Sequence, residues 1–272
     1  MIHPSEQWAL QIICSDVCQR RCANCTRSLS HVRKHFSLSV DQFSHIVACV
    51  RDFLTDSKPN AAAKQKALIL MGGEVLFHPE FRDLCEELHR QVPAKEHCGL
   101  WTGINWTKTD YRDIIDATFG LFNVNLHSSP SLHTPVLLAI RDVVSDEEEM
   151  WRCIDNCWLQ ARWCSAASVN GFWFCEVASG LDMAMGGPGG LPIAPGVWKR
   201  PREDFEYQRQ WACPRCGVSL NLAGRQDPEE VDDISLGNLE ALADSPRIKA
   251  GRYVLHETRP TAETAKPWKY IQ

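Results

Sequence analysis

The sequence predicts an α/β protein: a partial (βα)n barrel of parallel strands followed by a small C-terminal β-hairpin and helix appendage. Three observations predict it. Short, continuous apolar runs alternate with helical patterns up to about Ile140, as βα units on a parallel sheet do. About five or six such units fit in that span, too few for a closed eight-stranded barrel. From Cys157 onward the pattern changes to a hairpin signal, a Gly/Pro-rich loop and a C-x2-C pair.

Taken in order, Trp8 to Ile13 reads as a buried strand. Ser39 to Leu54 reads as a helix with Ser39 as N-cap and Gln42 closing a capping box. Ala67 to Met71 is a second strand, Phe81 to Val92 a helix, and Cys98 to Thr102 a third strand. Tyr111 to Ala117 is a short helix, Leu121 to Leu126 a fourth strand and Val136 to Ile140 a fifth. Ser145 with Glu148 forms a capping box before a helix from Glu147 to about Cys157. Ala161 to Ser168 and Phe172 to Val177 flank Val169-Asn170-Gly171, a hairpin signal. Gly186 to Gly190 is loop, a connector or lid, and a helix follows near Asn238 to Ala243. The expected domains are 1–150 for the barrel core, 151–257 for the appendage and 258–272 for a tail of surface coil.

Composition narrows the function classes. The 272 residues carry a formal net charge of −5, which gives no electrostatic footprint for nucleic acid or an anionic membrane. The N-terminus has no signal-peptide pattern and no apolar run is long enough to span a bilayer, so a cytoplasmic location is expected. Thirteen cysteines in a long chain without a secretion signal argue against a disulfide framework and for metal ligands in a reducing compartment.

Cys18, Cys22 and Cys25 form C-x3-C-x2-C in a loop just after the first strand. Three thiolates from one loop hold three irons of a 4Fe–4S cluster and leave the fourth open to a ligand. A zinc knuckle or incidental core cysteines are the competing readings. Gly72-Gly73-Glu74 ends the second strand. Glycines admit close backbone approach, a carboxylate pairs with an ammonium, and ligands gather at the carboxyl ends of parallel strands.

Together these two motifs resemble the radical S-adenosylmethionine (SAM) superfamily over roughly residues 8–140. The resemblance implies that Cys18, Cys22 and Cys25 carry the SAM-binding cluster and that Gly72, Gly73 and Glu74 hold the SAM amino group. It places Thr102 and Gly103 at the end of the third strand, and Asn125, His127 and Ser128 at the end of the fourth, as cofactor contacts. One departure stands out: the residue before the third cysteine is usually aromatic and packs on adenine, whereas here it is Asn24.

Cys213-x2-Cys216 is a second chelating pair. A hairpin followed by C-x2-C resembles the twitch/SPASM-like auxiliary-cluster domain of some radical SAM enzymes, in layout the butirosin-pathway aminocyclitol dehydrogenase. That resemblance makes Cys157, Cys175, Cys213 and Cys216 ligands of a second 4Fe–4S cluster, with Cys164 the alternate to Cys157 and a structural zinc site the alternative occupant. The implied activity is reductive cleavage of SAM and hydrogen abstraction from a sugar, aminocyclitol or nucleoside-like small molecule, with flavodoxin or ferredoxin as electron donor. A peptide-modifying enzyme and a non-catalytic zinc or iron–sulfur module are the alternatives. No catalytic acid or base is singled out. Cys14 and Cys98 are candidate hydrogen donors, Glu176 a pocket residue, and Trp198-Lys199-Arg200 a grip for an anionic group.

Overall fold

The computed structural model describes residues 1–56, 65–126, 131–162 and 165–260. His127, Ser128 and Cys164 lie outside the described residues. Among the described residues no helix is long and apolar enough to cross a membrane.

The first half runs β1 (Ala9–Ile13), α1 (Val40–Val50), α2 (Phe53–Asp56), β2 (Ala67–Met71), α3 (Phe81–Gln91), β3 (Cys98–Thr102), α4 (Arg112–Thr118) and β4 (Leu121–Val124). Every residue of β1 is buried, as a strand covered on both faces must be, which is why it reads as an unbroken apolar run. The predicted capping box opens α1: Gln42 N donates to Ser39 Oγ at 3.2 Å and Ser39 N to Gln42 Oε1 at 3.0 Å. In α3, Phe81, Leu84, Cys85 and Leu88 are buried, the one-face spacing of an amphipathic helix.

The second half runs β5 (Leu132–His133), α5 (Ile140–Val143), α6 (Glu147–Asp155), α7 (Trp158–Arg162), β6 (Ser165–Ser168), β7 (Gly171–Trp173), α8 (Glu176–Met185) and α9 (Glu203–Ala212). It closes with β8 (Arg225–Gln226), β9 (Asp232–Ser235), α10 (Leu236–Ala241), α11 (Pro246–Lys249) and β10 (Tyr253–His256). The expected fifth strand at Val136–Ile140 is not one. Those residues are buried, but Gly217 N donates to Val136 O and Asn238 Nδ2 to Leu137 O, so loop and side-chain partners replace a strand neighbour. The cap of α6 is Asp146, which accepts from Glu149 N at 2.9 Å, one residue later than the expected Ser145.

Six strands form one mixed sheet in the order β4-β3-β2-β1-β6-β7. All neighbours are parallel except the β6–β7 hairpin. The arrangement of strands and helices is consistent with a partial (βα)n barrel. The hairpin turn is Val169-Asn170, with Ser168 opposite Gly171. Gly171 has φ +100°, a conformation that favours glycine. The hairpin pairs with β1 through β6, so it widens the main sheet. The return strand is short because the chain turns at Cys175 into α8.

β1 lies mid-sheet, and the chain first builds outward to β4 before returning to β1's other flank. That reversal is a topological switch point, where the carboxyl ends of the strands leave a crevice.

Candidate functional site

The crevice opens at the carboxyl ends of β1, β2 and β3. A cleft of about 180 Å³ there is lined by Cys18, Arg20, Cys22, Cys25, Gly72, Gly73, Glu74, Gly103, Asn125 and His133, among others. The structure thus brings together eight of the expected residues from the ends of four strands, β1 to β4.

The glycines explain how the cysteine loop is seated. Gly73 N donates to Ser15 O at 2.9 Å and Glu74 N to Val17 O at 2.7 Å. A Cβ on Gly72 would lie 2.6 Å from Ser15 O, and one on Gly73 would overlap the carbonyl of Val17. The bare glycines therefore admit the backbone of the cysteine loop itself.

Glu74 is buried. Its Oε1 accepts from Thr102 Oγ1 at 2.6 Å and Leu76 N at 3.2 Å, and Oε2 from Gly103 N at 2.7 Å. An ionised carboxylate offers about four lone-pair sites, so three protein donors fix its direction and leave capacity for one more. Thr102 orients Glu74. Asn125 Nδ2 donates to Ser131 Oγ at 3.0 Å at the cleft wall.

Burial first, and then the neighbouring thiols, push Cys22 up to about 11, and burial also raises Cys18 and Cys25. The Arg20 guanidinium works the other way on Cys18 and Cys22. Mutual repulsion of this kind marks thiols that share a space and gain from a cationic occupant.

Sequence reasoning missed the clamp on this loop. Asn24, at φ 48°, adopts the left-handed region that Asn tolerates. Its N donates to Asp232 Oδ1 at 2.6 Å, its Nδ2 to Asp233 Oδ2 at 2.9 Å, and its Oδ1 accepts from Asp233 N at 2.8 Å. The residue that departs from the superfamily pattern thus docks the loop on β9. Arg247, on α11, pairs through Nε with Asp232 at 3.0 Å and donates from Nη2 to the carbonyls of Arg21 and Cys22 at 2.7 and 3.0 Å. His31 Nε2 lies 2.8 Å from Asp232, and Arg225 and His256 both pair with Asp233. His133 Nδ1 donates to Ala23 O at 2.8 Å. Burial lowers the His133 pKa, against the pull of that carbonyl, which favours the neutral ring.

The second set converges elsewhere. Cys157, Cys175, Cys213 and Cys216 line one further cavity, whose other walls are mainly apolar: Ile154, Leu159, Phe174, Val177, Leu181 and Val218 among them. Cys157 follows α6, Cys175 caps α8, and Cys213 and Cys216 flank a 3-10 turn after α9. Burial, then the neighbouring thiols, push Cys157 up to about 11 and Cys213 and Cys216 well above the ordinary thiol value. Among the described residues, no group of three or more His, Cys, Asp or Glu side chains converges closely enough to hold a single metal ion. A cubane asks for a wider arrangement, because each thiolate binds its own iron. By donor chemistry both sets suit iron–sulfur ligation: three thiols on one loop, and four thiols around one cavity.

Arg27 stands between the two sets. It is buried, its Nη1 donates to Glu176 O at 2.6 Å, and its charge is felt by Cys25 and Cys175 alike. Burial lowers the Arg27 pKa, with Glu176 the largest opposing influence.

Other expectations fall away from the cleft. Cys14 and Cys98 are core residues whose thiols donate to Ile12 O and Val92 O, and neither lines the cleft. Trp198 and Lys199 bond to Asp56, and Arg200 pairs with Asp204, so that segment is tied up by surface acids. The glycine loop zips onto β7 through Phe172 and Leu191.

No family model matches the chain, and no curated protein matches it. Among solved structures, one similar to it is the crystal structure of BtrN in complex with AdoMet and 2-DOIA, at 15% identity. The match covers 77% of this chain and 88% of that one, with a TM-score of 0.45. It assigns no residue of this chain a role.

Proposed function

We propose that the chain is a radical SAM enzyme. The observation that carries the reading is the cleft in which Cys18, Cys22 and Cys25 of one loop meet Gly72, Gly73 and Glu74 at the carboxyl ends of adjacent strands. A 4Fe–4S cluster held there would supply the electron for reductive cleavage of SAM to methionine and a 5'-deoxyadenosyl radical. The protein's residues supply placement. Cys18, Cys22 and Cys25 would hold the cluster through their thiolates. Glu74, fixed by Thr102 and Gly103, accepts a hydrogen bond from the SAM amino group. Asn125, and Ser128 outside the described residues, stand for the ribose side. Gly72 and Gly73 hold the cysteine loop against β2.

In the same reading Cys157, Cys175, Cys213 and Cys216 hold a second 4Fe–4S cluster in residues 151–257, beside the core of 1–150 and ahead of the tail at 258–272. The substrate is a small molecule of the sugar, aminocyclitol or nucleoside type, the net reaction an oxidation or epimerisation, and the electron donor a flavodoxin or ferredoxin. A cytoplasmic setting would keep the ligand thiols reduced and free of disulfides.

The test is reductive SAM cleavage by anaerobically reconstituted protein. Formation of 5'-deoxyadenosine by the wild type, abolished when Cys18, Cys22 and Cys25 are all replaced by Ala, is expected. Equal rates in both proteins would reject the assignment.

A further inference from the structure

We infer that the outer side of the cysteine loop carries a second binding site, for the phosphate group of a small molecule. A cavity of about 350 Å³ lies there, between the loop and α11, lined by Arg20, Arg21, His35, Arg247, Arg252 and Asp16 among others. That volume is in the range of small-ligand pockets.

The charge around it is lopsided. Residues 17–40 contain Arg20, Arg21, Arg27, Arg33 and Lys34 and no acidic residue, in a chain whose total is −5. Within the cavity wall, His35 pairs with Asp16, Arg252 with Glu230 and Arg247 with Asp232. Arg20 and Arg21 pair with no acidic side chain among the described residues, and neither guanidinium donates a hydrogen bond there. Two unneutralised guanidiniums match the charge of a phosphate monoester, about −1.5 to −2 at neutral pH.

Arg247 adds an independent sign. It is 4% exposed, and its Nε and Nη2 are taken by Asp232, Ser30 and the Arg21 and Cys22 carbonyls. Its Nη1 is buried with no hydrogen-bond partner. An unsatisfied buried donor is costly and asks for an explanation; a phosphate oxygen reached by a small movement of this side chain supplies one, in the fork geometry arginine favours.

The cavity shares Cys18, Arg20, Leu29 and Ser30 with the cleft. A ligand held here by its phosphate therefore lies against the loop that carries the three thiols. That this ligand is the substrate, making it a phosphorylated small molecule, rests on the radical SAM reading; the phosphate site itself does not.

The test is calorimetric titration of the full 272-residue chain, without iron or SAM, with glycerol 3-phosphate, inorganic phosphate and acetate. We expect saturable binding of phosphate, weakened at least tenfold in the Arg20→Gln/Arg21→Gln variant and unchanged in Arg82→Gln, a remote control. Tighter binding of the ester than of inorganic phosphate would support an ester ligand; equal binding would support free phosphate in the same site. No heat with either phosphate, acetate binding as tightly, or unaltered affinity in the double variant would overturn the inference. Because no cofactor enters the titration, its failure leaves the SAM-cleavage reading standing, and failed SAM cleavage leaves the phosphate site standing.

Discussion

At the scale of single residues, the cleft is held by groups with no freedom to change. Gly73 faces the Val17 carbonyl so closely that any side chain must displace backbone. Gly73→Val is expected to destabilise the fold by about 2–3 kcal/mol, the overpacking range, in urea unfolding; an unchanged midpoint would mean the loop sits elsewhere. Asn24 makes three hydrogen bonds to Asp232 and Asp233. One of them uses its own backbone N, so Asn24→Ala removes the two side-chain bonds and leaves the buried Asp233 N–H unmatched. A loss of about 1–3 kcal/mol and faster amide exchange in residues 20–28 are expected. Slow exchange retained in the variant would contradict the clamp. The cysteines and the Gly-Gly-Glu segment were legible in the sequence because each is a local spacing. Asp232, Asp233 and Arg247 were not, because their partners lie some two hundred positions away and nothing local marks them as loop anchors.

At the scale of elements, β1 to β4 were legible because buried parallel strands are unbroken apolar runs. The segment 136–140 is equally apolar, but burial does not specify a strand when the Gly217 N–H of a loop and the Asn238 side chain provide the partners. α8 was missed because its start reads as a continuation of the hairpin, and all but two of its residues are buried, which erases the amphipathic signal. α11 and β9 together pin the cysteine loop. Removing the Arg247 charge leaves buried Asp232 with only the Asn24 N–H and His31, so Arg247→Met is expected to cost about 3–5 kcal/mol. A loss under about 1 kcal/mol in chemical unfolding would show that the pair is not a structural tie. The same tie has a pH signature. Burial pushes Asp233 up, but hydrogen bonds from His256, Asn24 and Arg225 outweigh it and hold the carboxyl below its ordinary value. A lowered folded pKa contributes stability that is fully present above the unfolded value of about 3.9 and lost as pH falls through the folded one. Exchange protection of residues 20–28 is therefore expected to hold at neutral pH and fade below about pH 4, and to fade less in Asp233→Asn. Protection that is flat across that window would remove Asp233 from the tie.

At the scale of the whole molecule, the switch in strand order places one crevice at mid-sheet, and the two cysteine sets meet across Arg27 and Glu176. The hairpin that brings Cys175 into place extends the main sheet, so the second set is tied through Cys175 to the sheet that carries the first. Cys157 lines the cavity with Cys175, Cys213 and Cys216, while Cys153 lies one helical turn earlier with its thiol against Glu149. Cys157→Ala is expected to halve the iron bound on reconstitution, and Cys153→Ala to leave it unchanged; the reverse pattern would move the ligand. The central claim is that the first three cysteines hold a cluster with an open iron that SAM occupies. Electron paramagnetic resonance of the reduced, reconstituted chain, with and without SAM, tests it most directly. The account predicts a 4Fe–4S signal that shifts on adding SAM and is missing when Cys18, Cys22 and Cys25 are replaced. A signal indifferent to SAM, or one that survives loss of all three cysteines, would contradict it.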